Sequence, residues 1–227
     1  MERNYFETEL QALRHQLLTM GGVVEERVHR AVHSLVHRRE EEAQRVIATD
    51  KEVNDLQMDV DERCLRLLAT QTPLAGDLRL ITSAMKINAD LERIGDQAVN
   101  IAESVLILIP QPPLKPLIDI PRMALIAENM IRDALDAFVK KDAELAREVL
   151  RRDDEVDELK DQVFRELLTY MMADPGTIQR ALSLILISRN LERIADHATN
   201  IAEDVIFIAE GKDVRHHAQD DRGARQR

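Results

Sequence analysis

An all-α fold of two tandem three-helix bundles, an elongated six-helix array, is predicted by three observations on this 227-residue chain. The first is composition: four Phe, two Tyr and no Trp, with seven Gly and seven Pro, leave a core built from Leu, Ile, Val, Ala and Met. That composition favours helix over sheet. The second is periodicity. Leu91, Ile94, Ala98, Ile101 and Val105 recur at spacings of three and four, as do Leu191, Ile194, Ala198, Ile201 and Val205, and both series are helical stripes. The third is that the chain is written twice.

Residues 90–104 and 190–204 align at a spacing of 100 with ten of 15 positions identical, where average residue usage would give about one. Residues 50–56 echo 153–159, and 31–36 echo 134–139, both at a spacing of 103. The slip of three falls in the turn regions 70–77 and 173–177, each of which carries a Pro and a Gly, the usual punctuation of a loop.

Taken in order, interruptions near 38–42 and 71–77 divide a first bundle, residues 1–109, into three long helices. Five of the seven prolines, Pro110, Pro112, Pro113, Pro116 and Pro121, then crowd a linker over 110–121 where no helix continues, since Pro lacks the amide donor and restricts its neighbour. Interruptions near 140–143 and 173–177 divide the second bundle, residues 122–210, in the same way. Helices of about 30 residues would be roughly 45 Å long, which makes the molecule a rod of packed helices. Residues 211–227, with His216 and His217, lose periodicity and are expected to form a flexible tail.

With 42 acidic against 31 basic side chains and a net charge of −11, the chain is a poor candidate for nucleic acid, which needs clustered Lys and Arg. The longest apolar run, Val105 to Ile109, ends at Pro110, far short of the roughly 20 residues that cross a bilayer. The N-terminus has neither the basic start nor the apolar run of a secretion signal. Cys64 is alone, which points to a reducing compartment, the cytoplasm.

The carboxylates are unusual in their placement. Glu92 and Asp96 are four residues apart on one helix face, with Asn100 a turn further, and Glu192, Asp196 and Asn200 repeat the pattern. On the preceding helix of each half, Asp50 with Asn54 and Asp153 with Asp157 have the same spacing and flank Val53 and Val156. Like charges at i, i+4 repel, so an ordinary solvated face gains nothing from them. Pairs of oxygen ligands on neighbouring antiparallel helices suit a hard divalent cation or a small Fe or Mn cluster. The plainer reading is an ion-pair network in which Arg or Lys from the next helix, with Arg93 and Arg193, neutralises the same groups. Between the copies Gln97 has become His197 and Val99 has become Thr199, while Glu, Asp and Asn are kept, a pattern expected of a constrained site.

The stretches Leu91-Glu92-Arg93-Ile94-Gly95-Asp96 and Leu191-Glu192-Arg193-Ile194-Ala195-Asp196 closely resemble the PhoU family of phosphate-transport accessory proteins. So do Leu68-Ala69-Thr70-Gln71-Thr72-Pro73-Leu74-Ala75-Gly76-Asp77-Leu78-Arg79 and the tandem halves. The resemblance covers about residues 5 to 210. It implies two three-helix bundles related by pseudo-twofold symmetry and repression of the phosphate-starvation response when phosphate is plentiful; the sequence offers no Gly-rich phosphate cradle, nucleophile elbow or Cys/His constellation, so no enzymatic activity is expected. The partners it implies are the ATP-binding subunit of the phosphate ABC transporter and the phosphate-sensing histidine kinase, at the cytoplasmic membrane face. A second copy of the chain as a homodimer is also expected. The family's acidic metal motif maps onto Glu92 with Asp96 and Glu192 with Asp196, and its partner motif onto Asp153 with Asp157. In the first half the partner reads Asp50 to Asn54, one carboxylate fewer, and weaker binding is expected there. The metal would be Fe, Mn, Zn or Mg. Two rival readings are a metal-dependent phosphate-ester hydrolase and a metal-free helical adaptor.

Other clusters read more plainly. His29, His33 and His37 form an i, i+4, i+8 stripe beside Arg30, Arg38 and Arg39, which favours a solvated basic patch over a metal site. His197 points about 100 degrees away from Asp196, as an exposed or interhelix residue rather than a shared ligand. Glu26 with His29 is a single Glu-x-x-His, too little for a ferritin-like di-iron centre. The eight Met residues are expected mainly as core filler.

Overall fold

Apolar stripes at helical spacing produce helices that bury one face, and the chain does this throughout. The computed structural model describes residues 2–70 and 73–214, and among them regular structure is entirely helical. The elements are α1 (Glu2–His37), α2 (Glu40–Ala48), α3 (Asp50–Thr70), α4 (Ala75–Leu108), α5 (Asp119–Lys140), α6 (Ala143–Ala173) and α7 (Ile178–Glu210). A 3₁₀ turn, Pro175–Thr177, precedes α7.

These form six helical rods, three per half, because α2 and α3 are one rod broken at Thr49. Three unbroken helices were expected in the first half. At the break Thr49 leaves helical geometry, with φ −93° and ψ 7°, and its hydroxyl donates to Arg45 O at 3.0 Å and Val46 O at 3.3 Å; Thr82 makes the same back-bonds inside unbroken α4, so the hydroxyl alone does not end the helix. At the equivalent position, 103 residues on, α6 carries Arg152 and runs unbroken.

The repeat is visible in the turns. Arg38 ends α1 and Lys141 ends α5, both in the left-handed region with φ of 55° and 53°. In each turn an amide reaches back five residues, Arg39 N to Ser34 O at 2.9 Å and Asp142 N to Ala137 O at 3.0 Å, the same Schellman closure twice. Asp142 also caps α6, accepting from Glu144 N and Leu145 N. The connection between the halves runs from Ile109 to Ile118. Pro121, read from the sequence as part of that linker, lies in the first turn of α5, where a missing N–H costs nothing. Gly211 ends α7 with φ of 71°. Residues 215–227, most of the expected flexible tail, lie outside the described residues, as do Gln71 and Thr72.

The rods form two three-helix bundles set side by side. α4 packs on α1, α2 and α3 in its own half, α7 packs on α5 and α6 in the other, and α4 meets α7 while α1 meets α5. The contacts that join the halves therefore pair equivalent helices, as pseudo-twofold symmetry requires. Both stripes named above are fully buried, as are Met20, Met123 and Met130, and one continuous core runs through both halves. Met172 departs from the core-filler expectation, at 78% exposed. No helix among the described residues is long and apolar enough to cross a membrane.

Candidate functional site

The stripe that buries α4 fixes where its carboxylates go. With Leu91, Ile94, Gly95 and Ala98 buried, Glu92 and Asp96 fall at the edge facing α3. A Cβ on Gly95 would stand 3.3 Å from Val53 Cγ1, so α3 and α4 approach closely at this level. Val53 lies between Asp50 and Asn54, and the close approach brings the two helices' oxygen groups together.

Electrostatics report the same proximity. Burial raises the Glu92 carboxyl above its ordinary range, and Asp96 and Asp50 push it further up against the pull of Arg93 and His197. Asp96 is raised by burial and by Asp50, opposed by Arg93. Glu92 and Asp96 have no direct ion pair among the described residues; Glu92 is half-buried and Asp96 exposed. Asp50 is partnered: Asn54 Nδ2 donates to its Oδ2 at 3.1 Å, and Arg27 Nη1 lies 3.6 Å from its Oδ1. Arg27, on α1, is 4% exposed, and burial pushes its pKa down against the pull of Asp50 and Glu52.

The second half has a different occupant. Lys160 Nζ on α6 lies 3.2 Å from Asp157 Oδ1 and 3.4 Å from Glu192 Oε1 of α7, with Asp161 at 3.6 Å. Burial works against its charge, yet Asp157 and Glu192 hold the ammonium above its ordinary range. Asp196 is raised by burial, Glu192 and Asp157, and eased by His197 and Lys160. Asp153 lies one turn before Asp157, half-buried.

Of the eight sequence-derived residues, Asp50 and Asn54 lie on α3 and Glu92 and Asp96 on α4, while Asp153 and Asp157 lie on α6 and Glu192 and Asp196 on α7. Among the described residues, no three carboxylate or imidazole groups converge on one point. The donor chemistry still suits a hard cation in the first half, where Glu92 and Asp96 lack a direct counter-charge. It suits one less in the second, where an ammonium already lies between two of the carboxylates. Asn200 does not extend the second cluster, because its Nδ2 donates to Asp90 Oδ1 of α4 at 3.1 Å.

Arg27 and Lys160 are the residues that sequence reasoning missed. Each lacks a charged counterpart: position 130, equivalent to Arg27, is Met, and position 57, equivalent to Lys160, is Gln. A charge present in one copy only was the available signal. His197 is an interhelix residue, with Nδ1 2.8 Å from Asp90 Oδ1. The histidine stripe is less a basic patch than expected, since His33 Nδ1 lies 2.6 Å from Glu42 Oε2 and His29 Nδ1 lies 3.4 Å from Glu128 Oε1.

Comparison with known proteins decides the family. The PhoU domain family model matches twice, over residues 17–105 and 120–205. The chain belongs to the PhoU family. A relative named phosphate-specific transport system accessory protein PhoU homolog, from Pseudomonas putida, is 44% identical over 93% of this chain and 83% of its own length. The crystal structure of PhoU from Pseudomonas aeruginosa matches with a TM-score of 0.88 at 42% identity, covering 91% of this chain and all of that one. The phosphate transport system regulatory protein PhoU from Streptococcus pneumoniae matches with a TM-score of 0.86 at 30% identity, covering 92% and 99%. As a PhoU protein this chain is an accessory protein and not an enzyme.

Proposed function

We propose that this chain is a negative regulator of phosphate uptake and of the phosphate-starvation response. The reading is carried by one observation: both halves match the PhoU domain, and the relatives that match nearly the whole chain are named for a phosphate transport system. The chain would act in the cytoplasm at the inner membrane face. There it would bind the ATP-binding subunit of the phosphate ABC transporter and the phosphate-sensing histidine kinase. Coupling the two requires that it bind at least one of them differently in phosphate-replete and starved states.

Two exposed stripes supply surface for such contacts or for a homodimer. Phe164, Leu168 and Met172 on α6 and Ile178, Leu182 and Leu186 on α7 recur every four residues and are 41–78% exposed, more apolar surface than a solvated face requires.

A hard divalent cation, or Fe or Mn, would be held in the first half by Asp50, Glu92 and Asp96, with Asn54 as a neutral oxygen donor. Its charge would relieve the repulsion that raises both α4 carboxyls. In the second half Lys160 takes the cation's place, which reverses the order expected from counting carboxylates. A metal-free reading is favoured there by the same lysine.

The test is alkaline phosphatase activity in phosphate-rich cells lacking the chain, complemented by wild type or by the Glu92→Ala, Asp96→Ala, Glu192→Ala, Asp196→Ala variant. High activity in the deletion, silenced by wild type, is expected. Low activity in the deletion would overturn the regulatory reading. Metal analysis of protein purified without chelator or nickel resin tests the cation separately.

A further inference from the structure

In a chain of net charge −11, one cavity brings together three basic side chains. It has a volume of about 320 Å³ and lies where the first half of α1, the start of α4 and the ends of α5 and α7 meet. Arg14, Arg79 and Lys141 line it, with Glu7 and Asp77 as its two carboxylates. Arg14 and Arg79 are half-buried and Lys141 exposed, and the buried Arg14 Nε and Arg79 Nε have no hydrogen-bond partner among the described residues. Neither arginine, nor Lys141, makes an ion pair among the described residues. Native folds rarely leave a buried polar donor unpaired, and a bound ion or water is one of the explanations. Arg63, also partly buried against α1, shows the usual solution: its Nε and Nη1 donate to Gln16 and Glu9 at 2.7 and 2.6 Å.

The repeat sharpens the anomaly. Arg38 and Lys141 are equivalent residues held in the same left-handed turn, a conformation that non-glycine residues seldom adopt without a return. The Arg38 guanidinium donates to Ile109 O and Gln111 O at 2.5 Å, which ties the turn to the end of α4. Lys141 makes no such tie and lines the cavity instead. Gly76 and Asp77, also in the lining, belong to the first turn of α4, which has no side-chain cap.

We infer that this cavity binds a free phosphate-type oxyanion between Arg14, Arg79 and Lys141. The Nε–H and Nη–H edges of two guanidinium groups match a tetrahedral oxyanion in paired fashion, and the lysine adds a point charge. Glu7 and Asp77 set the selectivity. An ionised carboxylate only accepts hydrogen bonds, so it tolerates hydrogen phosphate, which carries a proton to donate, and opposes sulfate, which carries none. The assignment is independent of whether the chain represses any response.

The experiment is calorimetric titration of the untagged full chain, in phosphate-free buffer, with orthophosphate, with sulfate and with phosphatidylglycerol vesicles. Saturable binding of one orthophosphate per chain is expected, with sulfate at least about tenfold weaker. Arg14→Gln and Arg79→Gln are each expected to weaken it about tenfold or more, while Arg66→Gln, at an exposed position paired with Glu62, leaves it unchanged. Lys141→Gly guards against misfolding as an explanation, because it relieves the left-handed backbone while removing a charge. It is expected to hold or raise the melting temperature and still weaken binding. No saturable orthophosphate binding, equal affinity in the arginine variants, or binding to vesicles alone would each overturn the assignment.

Discussion

His197 Nδ1 lies 2.8 Å from Asp90 Oδ1, and this contact joins α7 of one half to α4 of the other. Asn200 completes it from the next turn of α7. The symmetry-equivalent positions are Gln97 and Asn190, and there Gln97 Oε1 is buried without a partner among the described residues. The stronger of the two junctions therefore uses the residues that changed between copies. His197→Ala is expected to cost about 1–2 kcal/mol in urea unfolding, the worth of a partly buried hydrogen bond to a carboxylate. His197→Gln, which copies the other half, should cost less. A double-mutant cycle with Asp90→Asn should show clear non-additivity; additive losses would mean the pair contributes nothing jointly.

Adjacent glycines on α1 make opposite predictions. A Cβ on Gly21 would collide with Leu135 Cδ1 of α5, whereas nothing lies within 4 Å of one on Gly22. Leu135 is buried, so it has little room to retreat. Gly21→Ala is expected to destabilise by about 1–3 kcal/mol through overpacking. Gly22→Ala should stabilise by about 0.5–1 kcal/mol, the helix penalty of glycine removed at an exposed position. Equal stability of the two variants in thermal unfolding would show that α1 and α5 do not approach as closely as described.

The raised carboxyls of Glu92 and Asp96 carry a pH dependence of definite sign. Both bind a proton more readily folded than unfolded, so the favourable contribution is present below the unfolded values, about 4, and is lost as pH rises through the folded ones. Without added metal, Glu92→Gln with Asp96→Asn should therefore be more stable than wild type at pH 7. The advantage should shrink as pH falls toward 4, where the wild-type groups are themselves protonated. A variant less stable than wild type at pH 7 would mean these carboxylates make favourable contacts that outweigh their repulsion.

The helices and the repeat were legible because both rest on short-range rules. Leu91, Ile94 and Ala98 announce a buried stripe without reference to any other helix, and their copies at 191, 194 and 198 announce the symmetry. The break at Thr49 was not legible, because Thr is tolerated within helices, as Thr82 is inside α4. In the site, the eight positions could be read because i, i+4 spacing fixes a helix face. Their counter-charges could not. Arg27 reaches Asp50 from α1, and Asn200 crosses to Asp90 in the other half; these are contacts set by how rods pack, which residue spacing along one rod does not encode. Lys160 lay within one turn of Asp157 on the same helix, and the repeat already marked it as a charge without a counterpart.

That lysine gives the last prediction. Lys160 bridges Asp157 and Glu192 across α6 and α7, and its equivalent in the first half is Gln57. Lys160→Gln should make the second cluster resemble the first, leaving Asp157, Glu192 and Asp196 to repel one another. In chelator-treated protein the loss should be about 0.5–1 kcal/mol, since the pair is only partly shielded from solvent. Added Mn²⁺ or Mg²⁺ should then raise the melting temperature of the variant by more than that of wild type, because stabilisation by a ligand grows with its affinity for the folded state. If the variant loses stability and divalent ions restore none of it, the second-half carboxylates serve an ion-pair seam alone, and the lysine is its centre.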